Sequence, residues 1–550
     1  MTLLAILTAA AVGLGVSLAL RLPAVPLLIL AGVGLRLADE VMLGLGVDFG
    51  AVADADMVEE ALVLGLTFLV FAAGMELNPL RVGRQRKPAA YIGLVQFTTM
   101  LLVGMAAAVA MGMTTMAALH LGLAVSASST IVVVRILRNR RQFFEPFGRL
   151  VLGVLLLQDL LIILFIAGLS GVEDGLSGIV LSTMATLGLV LLTWVVVKWI
   201  APWLIITQEL DQESLLLAAL AILFTFTGLA YWMGMDLVIG SFFAGVALSS
   251  FPVNGVVRGQ LISLGHFFLA VFFVSLGAIL VLPTLEELAI VLVMAGLILV
   301  VTPVIVVLVA ERFGISARAS IESGLLLAQS SEFSIIVALL GVGAGHLEAE
   351  MLSAIALFTV LTMIMASFIA TDTVTWRLLR WHPSRRRGYE DRTRRNHLIM
   401  LGCGANSRVL LDLLLLHGLP VLVVDEDPGV VEQLRKRGVD AVRGDAADPR
   451  VLEAVNANEA EVIISTIRRA EDNERLLSIV RGVTVLVRVF SDDEAKQIER
   501  LGGVAVREAD AAARDFLRWF DEQIGAGLKE ADRVPRPVEG QGGPERPEQA

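Results

Sequence analysis

Gln158 and Asp159 interrupt an otherwise unbroken apolar run, Leu155 to Leu164. A charged side chain at the centre of a bilayer costs about 2.5–3.5 kcal/mol even on the lenient insertion scale, so it persists where it faces a water-filled cavity or a partner. A carboxylate binds either a proton or a cation, and the two compete for one charge. That competition is sufficient for exchange of a cation against a proton. The plainer alternatives for Asp159 are a permanently protonated acid or a helix–helix hydrogen bond. Asp159 is the only acid well inside its segment, which favours the exchange chemistry. Two more polar interruptions stand at related places in the two halves of the chain. Ser126-Ala-Ser128-Ser129-Thr130 puts hydroxyls in the middle of one apolar segment, and Gln329-Ser-Ser-Glu332-Phe does the same in another. Paired breaks suggest discontinuous helices that meet at a transport site, with freed carbonyls and half-helix ends available to a cation. Hydroxyls by themselves are equally well explained by bonding back to their own helix or by close packing. Glu332 shifts that balance, because it can neutralise helix-end dipoles or touch the ion. The small-residue runs 71–79, 240–245 and 272–277 are explained by close helix packing. Glu76 stands near a segment end, where charge is cheap, and His120 and His266 carry no assigned role.

A second constellation lies near the C-terminus. Leu398-Ile-Met-Leu-Gly402-Cys-Gly404-Ala-Asn-Ser407 reads as a strand followed by G-x-G-x-x-S. The glycines allow a tight turn and close approach of backbone to a pyrophosphate at a helix N-terminus. Asp425, about 20 residues on, ends the next strand, where an acid binds ribose hydroxyls. Gly444-Asp445-Ala446, after the third strand, lies where an adenine or ribose edge would come. The alternative is a nucleotide-binding fold that has lost its ligand.

The elements that position these residues follow from composition. The chain has 550 residues, 56% hydrophobic and 18% charged, with a mean hydropathy of +0.78. These values exclude an ordinary soluble enzyme and a disordered chain. One cysteine, Cys403, excludes a disulfide framework. A net charge of −11 argues against nucleic-acid binding. The apolar excess lies before residue 372. There the pattern predicts about thirteen membrane-crossing helices, from 3–20 to 350–371, with 23–37 and 236–250 short for the task. Arg81, Arg84, Arg86 and Lys87, then Arg138, Arg140, Arg141 and Arg149, then Arg258, Arg312 and Arg318 fall in alternate loops; the others are acidic or neutral. The positive-inside rule puts the N-terminus outside and the C-terminus in the cytoplasm. Residues 1–372 read as the transmembrane domain and 373–396 as an arginine-rich juxtamembrane linker near anionic headgroups. Residues 397–525 read as a parallel α/β domain, and 526–550 as a disordered tail.

FAAGMELNP (71–79), the serine-rich break, LLLQD (155–159), GSFFAGVAL (240–248), FFVSLG (272–277) and LLLAQSSEF (325–333) together resemble the monovalent cation:proton antiporters of the second large family, especially the Kef-type potassium efflux systems. Residues 397–520, with LGCG, VVDEDP and RGDA, resemble the TrkA-N type regulator-of-potassium-conductance domain. The resemblance implies a thirteen-helix inverted-repeat transporter, usually a homodimer in the cell membrane, with a Rossmann-like cytoplasmic domain. It implies that Asp159 is the proton/cation acid and Gln158 its neighbouring ligand. It places Ser128, Ser129 and Thr130 at the first break, and Gln329 and Glu332 at the second. It assigns Gly402, Gly404, Ser407, Asp425 and Asp445 to NAD(H) or an AMP-like nucleotide as regulatory ligand. Three departures matter. Sodium/proton relatives often carry two adjacent acids, and here one is Gln158, which points to electroneutral exchange of potassium or sodium for a proton. Residues 287–311 hold no lysine, and Thr302 stands near the expected place. Ala405 replaces the arginine of glutathione-gated members, which argues against glutathione control. Two other functions fit parts of this pattern less well. A ligand-gated potassium channel is disfavoured by the lack of a TVGYG-like filter run. A membrane-tethered oxidoreductase is disfavoured by the lack of a His/Lys/Tyr set after Asp425.

Overall fold

The computed structural model describes residues 2–20, 22–45, 55–76, 86–140, 142–143, 146–172, 175–200, 212–249, 255–281, 283–383, 397–404, 407–507, 510 and 513. The chain divides into two compact units, Met1–Arg387 and Gly388–Ala550. The first is helical: α1 (Thr2–Leu20), α2 (Ala24–Gly44), α3 (Ala55–Glu76), α4 (Arg86–Ala110), α5 (Thr115–Ser126), α6 (Thr130–Asn139), α7 (Pro146–Leu169), α8 (Gly175–Val195), α9 (Gln212–Trp232), α10 (Leu237–Ser249), α11 (Gly255–Ile279), α12 (Leu285–Arg312), α13 (Ala317–Leu327), α14 (Glu332–Gly343), α15 (Ala349–Ile369) and α16 (Asp372–Trp381). A π turn, Val196–Ile200, continues α8. Among the described residues, eleven stretches are long and apolar enough to cross a membrane, with α5–α6 and α13–α14 each counting as one; α10 is a shorter apolar helix. With α2 these make thirteen, in the places the apolar pattern predicts.

Boundaries differ where charge misled the reading. The second segment does not stop at 37: α2 runs to Gly44, with Arg36 and Glu40 paired one turn apart at 2.8 Å. Such a pair is at home on a helix face. Arg138 and Arg149 are helical residues in the last turn of α6 and the first of α7, not loop residues. The stretch read as linker begins as a helix, α16, whose Thr375 and Leu379 are buried. The basic residues Arg81, Arg84 and Arg141, the acids Asp48, Asp54, Glu173 and Asp174, Ala405 and the C-terminal tail lie outside the described residues.

The order of α1 to α7, with a split fifth span, recurs in α9 to α15. Packing follows the same duplication. A side chain on Gly32 of α2 would overlap the Val274 carbonyl of α11, and one on Gly277 the Ile29 carbonyl; Gly74 of α3 and Gly245 of α10 stand in the same reciprocal relation through Phe242 and Phe71. These glycines let the backbones touch, the device by which helices associate when lipid removes the hydrophobic drive.

The second unit is a six-stranded sheet in the order β3-β2-β1-β4-β5-β6. Its strands are β1 (Leu398–Leu401), β2 (Val421–Asp425), β3 (Asp440–Arg443), β4 (Val462–Ser465), β5 (Thr484–Val489) and β6 (Val504–Arg507), all pairs parallel. Alternate residues of β1 enter opposite cores: Ile399 and Leu401 pack with Leu422, Val424 and Ile463, while Met400 packs with Leu411, Val423 and Leu434. Both faces are covered, as a parallel sheet requires. The strand β6 and the helix Asp492–Arg500 before it have no clear apolar signal in the sequence, since that helix has few apolar residues and a strongly charged face.

Candidate functional site

The first break is Ala127–Ser129, and the second is Ala328–Ser331. Each is narrower than the sequence reading: Ser126 still ends α5, and Glu332 already begins α14. Each interruption orphans the carbonyls of one half-helix and the N–H groups of the next. The two breaks satisfy much of that need in each other. Ser128 donates its hydroxyl to the Leu327 carbonyl at 2.7 Å. Reciprocally, Ser330 donates to the Ala124 carbonyl at 3.0 Å, and Ser334 donates to the same oxygen. The backbone N–H of Ser128 donates to Gln158 Oε1 at 3.1 Å, and that of Ser330 to Thr362 Oγ1 at 3.1 Å. Thr362 of α15 thus occupies the place in the second half that Gln158 of α7 occupies in the first. Caps complete the half-helices: Ser129 Oγ accepts from Val132 at 3.4 Å, and Ser331 Oγ from Phe333 at 3.2 Å.

Asp159 does not interrupt α7, which is continuous through Pro146–Leu169. The carboxyl is 3% exposed. Its Oδ2 accepts from Thr130 Oγ1 at 3.0 Å, and its Oδ1 is buried without a hydrogen-bond partner. Glu332 is bound differently. Ser129 donates to its Oε1 at 2.7 Å and Ser331 to its Oε2 at 3.3 Å. Adjacent residues of one turn, Ser129 and Thr130, therefore each hold one acid. Gln329 donates to the Leu326 carbonyl at 3.1 Å and leaves Oε1 without a partner. Thr302 of α12 is buried with its hydroxyl unpartnered, beside Pro303, whose backbone abuts Gly324 of α13. Asp159, Gln329 and Thr302 thus each carry an unpartnered oxygen in or beside the broken helices, and Glu332 is a second acid there. Oxygen donors of this kind suit a hard monovalent cation.

Several residues of this network carry no local mark in the sequence. Gln96 of α4, Ser334 of α14, and Thr359 and Thr362 of α15 look like isolated polar residues in apolar helices. Thr359 donates to Ser330 Oγ at 3.2 Å. Only the fold brings them to the breaks. His120 packs its ring 5.3 Å from that of His346, away from these contacts.

In the α/β unit the glycine loop follows β1 at the point where strand order reverses, the usual ligand crevice of such sheets. Gly402 has a φ of +78°, which demands glycine. Gly404 has no such φ, and a side chain there would meet open space. Packing among the described residues therefore does not demand glycine at 404, and the helix Arg408–Leu416 that follows presents the N-terminus at which a pyrophosphate would be received. Asp425 is half-buried; its Oδ2 accepts from Cys403 N–H at 2.7 Å and its Oδ1 from Asp427 N–H at 2.9 Å. Burial pushes its pKa up, and those two backbone bonds oppose the shift. A carboxylate with four lone-pair sites still has room for a ribose hydroxyl. Ser407 is buried and donates to Thr466 Oγ1 at 2.9 Å, which in turn donates to the Gly402 carbonyl at 2.9 Å; its part is to pin the loop. Asp445 accepts from Ala447 N–H at 2.9 Å at the end of β3.

The sodium/hydrogen exchanger transmembrane model matches residues 5–376, and the TrkA-N domain model matches 398–511. The glutathione-regulated potassium-efflux system protein KefC of Salmonella schwarzengrund (strain CVM19633) is 28% identical over 500 residues, 87% of this chain and 79% of that protein. The protein of that name from Cronobacter sakazakii (strain ATCC BAA-894) is 28% identical over 529 residues, 92% of this chain and 84% of its own. The solved structure of the sodium proton antiporter MjNhaP1 from Methanocaldococcus jannaschii at pH 8 superposes with a TM-score of 0.50 at 14% identity. It covers 68% of this chain and 96% of its own, and it speaks to the fold alone.

Proposed function

The chain belongs to the sodium/hydrogen exchanger transmembrane family and is a multi-pass cation:proton antiporter with a C-terminal TrkA-N domain; from that premise we propose that Asp159 is the group that trades a proton for the cation. The observation that carries this is the buried Oδ1 of Asp159, which has no hydrogen-bond partner beside two helix breaks. A proton or a cation satisfies that oxygen, and the competition couples the two fluxes. Thr130 holds the other oxygen. Gln158, Ser128, Ser129 and Gln329 line the crossing and supply neutral oxygens to a partly dehydrated ion. Glu332, with both oxygens engaged by serine hydroxyls, neutralises the half-helix ends. One titrating carboxyl gives one proton per monovalent cation, hence electroneutral exchange.

The cation we favour is potassium, with sodium second, from the likeness to the potassium-efflux relatives. The arrangement we envisage is a homodimer in the cell's inner membrane, N-terminus outside, with the TrkA-N domain cytoplasmic. NAD(H) or an AMP-like nucleotide at Gly402, Gly404, Asp425 and Asp445 regulates exchange, provided it binds two states of that domain with different affinity. Ion and pH homeostasis through cation efflux follows from such an activity. Proteoliposomes with an internal pH dye test the central claim. Native protein moves protons when potassium or sodium is added, and Asp159→Asn does not. Full cation-driven proton movement by Asp159→Asn would overturn it.

A further inference from the structure

Gln96 stands in the middle of α4 and is 1% exposed. A buried amide is costly unless both its ends are bonded. Its Nε2 donates to the carbonyl of Ser126 at 3.3 Å. Its Oε1 accepts from Nε2 of Gln158. The Oε1 of Gln158 accepts from the backbone N–H of Ser128. Two side-chain amides in series therefore bridge the carbonyl of Ser126 and the N–H of Ser128, across the place where the helix abandons its own ladder. Both ends of this chain fix its direction. A carbonyl only accepts and a backbone N–H only donates, so neither amide can be turned without setting like against like. The second break has no such chain: Ser330 N–H goes directly to a threonine hydroxyl.

We propose that Gln96 is a positioning residue for the exchange. It holds the Gln158 amide in one orientation, with a lone pair of Oε1 left for the cation beside Asp159. An ionised acid at 158 would accept from Ser128 but could not donate to Gln96. Turning the Gln96 amide to meet it would then press oxygen against the Ser126 carbonyl. The α4 amide is thus matched to an amide at 158 and mismatched to an ionised acid there. This inference rests on the reading of Asp159 as the exchanging acid.

The test is cation-titrated transport by full-length protein in proteoliposomes, after monodispersity has been checked by size-exclusion chromatography. Gln96→Met preserves volume and removes both bonds. It is expected to raise the apparent KM for the cation about tenfold or more while changing the maximal rate less than about threefold. In a Gln158→Met background the same substitution is expected to change KM less than twofold, because its effect passes through Gln158. Gln96→Glu gives an independent check that keeps the polarity of the site. When protonated it donates to Ser126 and accepts from Gln158 as the glutamine does, so its KM should match native at acidic pH and depart from it as pH rises. A native KM in Gln96→Met, an equal effect with and without Gln158, or a KM ratio for Gln96→Glu that ignores pH overturns the proposal. Asp159→Asn is measured in parallel. If it keeps exchange, the parent reading fails; if it loses exchange while Gln96→Met behaves as native, only this inference fails.

Discussion

At Asp159 and Glu332 one chemical group sits in two environments, and the environments set different tasks. Glu332 spends both oxygens on serine hydroxyls, whereas Asp159 keeps one oxygen buried and unmet. Glu332→Gln is therefore expected to slow exchange about three- to tenfold, since a serine can turn to the amide. Asp159→Asn is expected to abolish exchange in the same pH-dye assay; the reverse ranking would exchange their roles. Cys403 carries a different prediction. Burial, and next the Asp425 carboxylate, push its thiol up to about 11. It stays protonated at neutral pH, and the thiolate is the reactive form. Maleimide labelling of native protein should be slow at pH 7 and rise roughly tenfold per pH unit until near 11. Rapid labelling at pH 7 without unfolding would contradict the environment described for Cys403.

Elements are held together by two devices that differ in tolerance. At Gly32–Gly277 and Gly74–Gly245 there is no room for a side chain, and the obstacle is backbone. Gly277→Val should therefore cost about 1–3 kcal/mol or prevent assembly of α2 on α11, read as a lower melting temperature of the detergent-solubilised protein. Gly15, which faces open space, should tolerate alanine in the same measurement. The second device is polar. Arg318 of α13 pairs with Glu322 at 3.3 Å, reaches Asp372 at 3.9 Å, and stacks its guanidinium 4.9 Å from the Trp376 ring centre. Both members of the Arg318–Glu322 pair are nearly inaccessible to water. Arg318→Leu leaves a buried acid without this cation and is expected to cost about 3–5 kcal/mol. Through these contacts α16 is packed on the half-helix whose last carbonyl, Leu327, accepts from Ser128 in the site. Loosening α16 is thus expected to alter exchange as well as stability.

At the scale of the whole molecule the predictions concern charge and ligand. Electroneutral exchange should run at the same rate whether gradients of the permeant anion thiocyanate set the membrane potential positive or negative, with the potassium gradient held fixed. A rate that follows the potential would show that more than one proton, or none, moves per cation. Asp425→Ala should weaken nucleotide binding about tenfold, read as a lost thermal shift of the full-length protein with NAD. Unregulated exchange should persist, because Asp159 and its neighbours are untouched. Loss of both would mean that the α/β unit is needed for more than sensing.

Sequence alone determined where the apolar helices, the two breaks and the glycine loop lie. The reason is physical: each is a local conflict between a residue and the solvent its neighbours demand. An acid at 159, four hydroxyls around 128 and a glycine at 402 are legible because lipid, helix and φ each penalise them locally. Where the local signal pointed the wrong way, the reading failed. The acids Asp39 and Glu40 look like loop residues, but both lie in α2, where Arg36 pairs with Glu40. The partners of the site were decided only by tertiary structure. Gln96, Thr359 and Thr362 are single polar residues on helices far apart in sequence, and nothing local distinguishes a glutamine that bonds its own helix from one that bridges a break. Tertiary structure likewise brings one hydroxyl of the first break to each acid, Ser129 to Glu332 and Thr130 to Asp159; Glu332 has its own neighbour Ser331 for the second oxygen, and Asp159 has none.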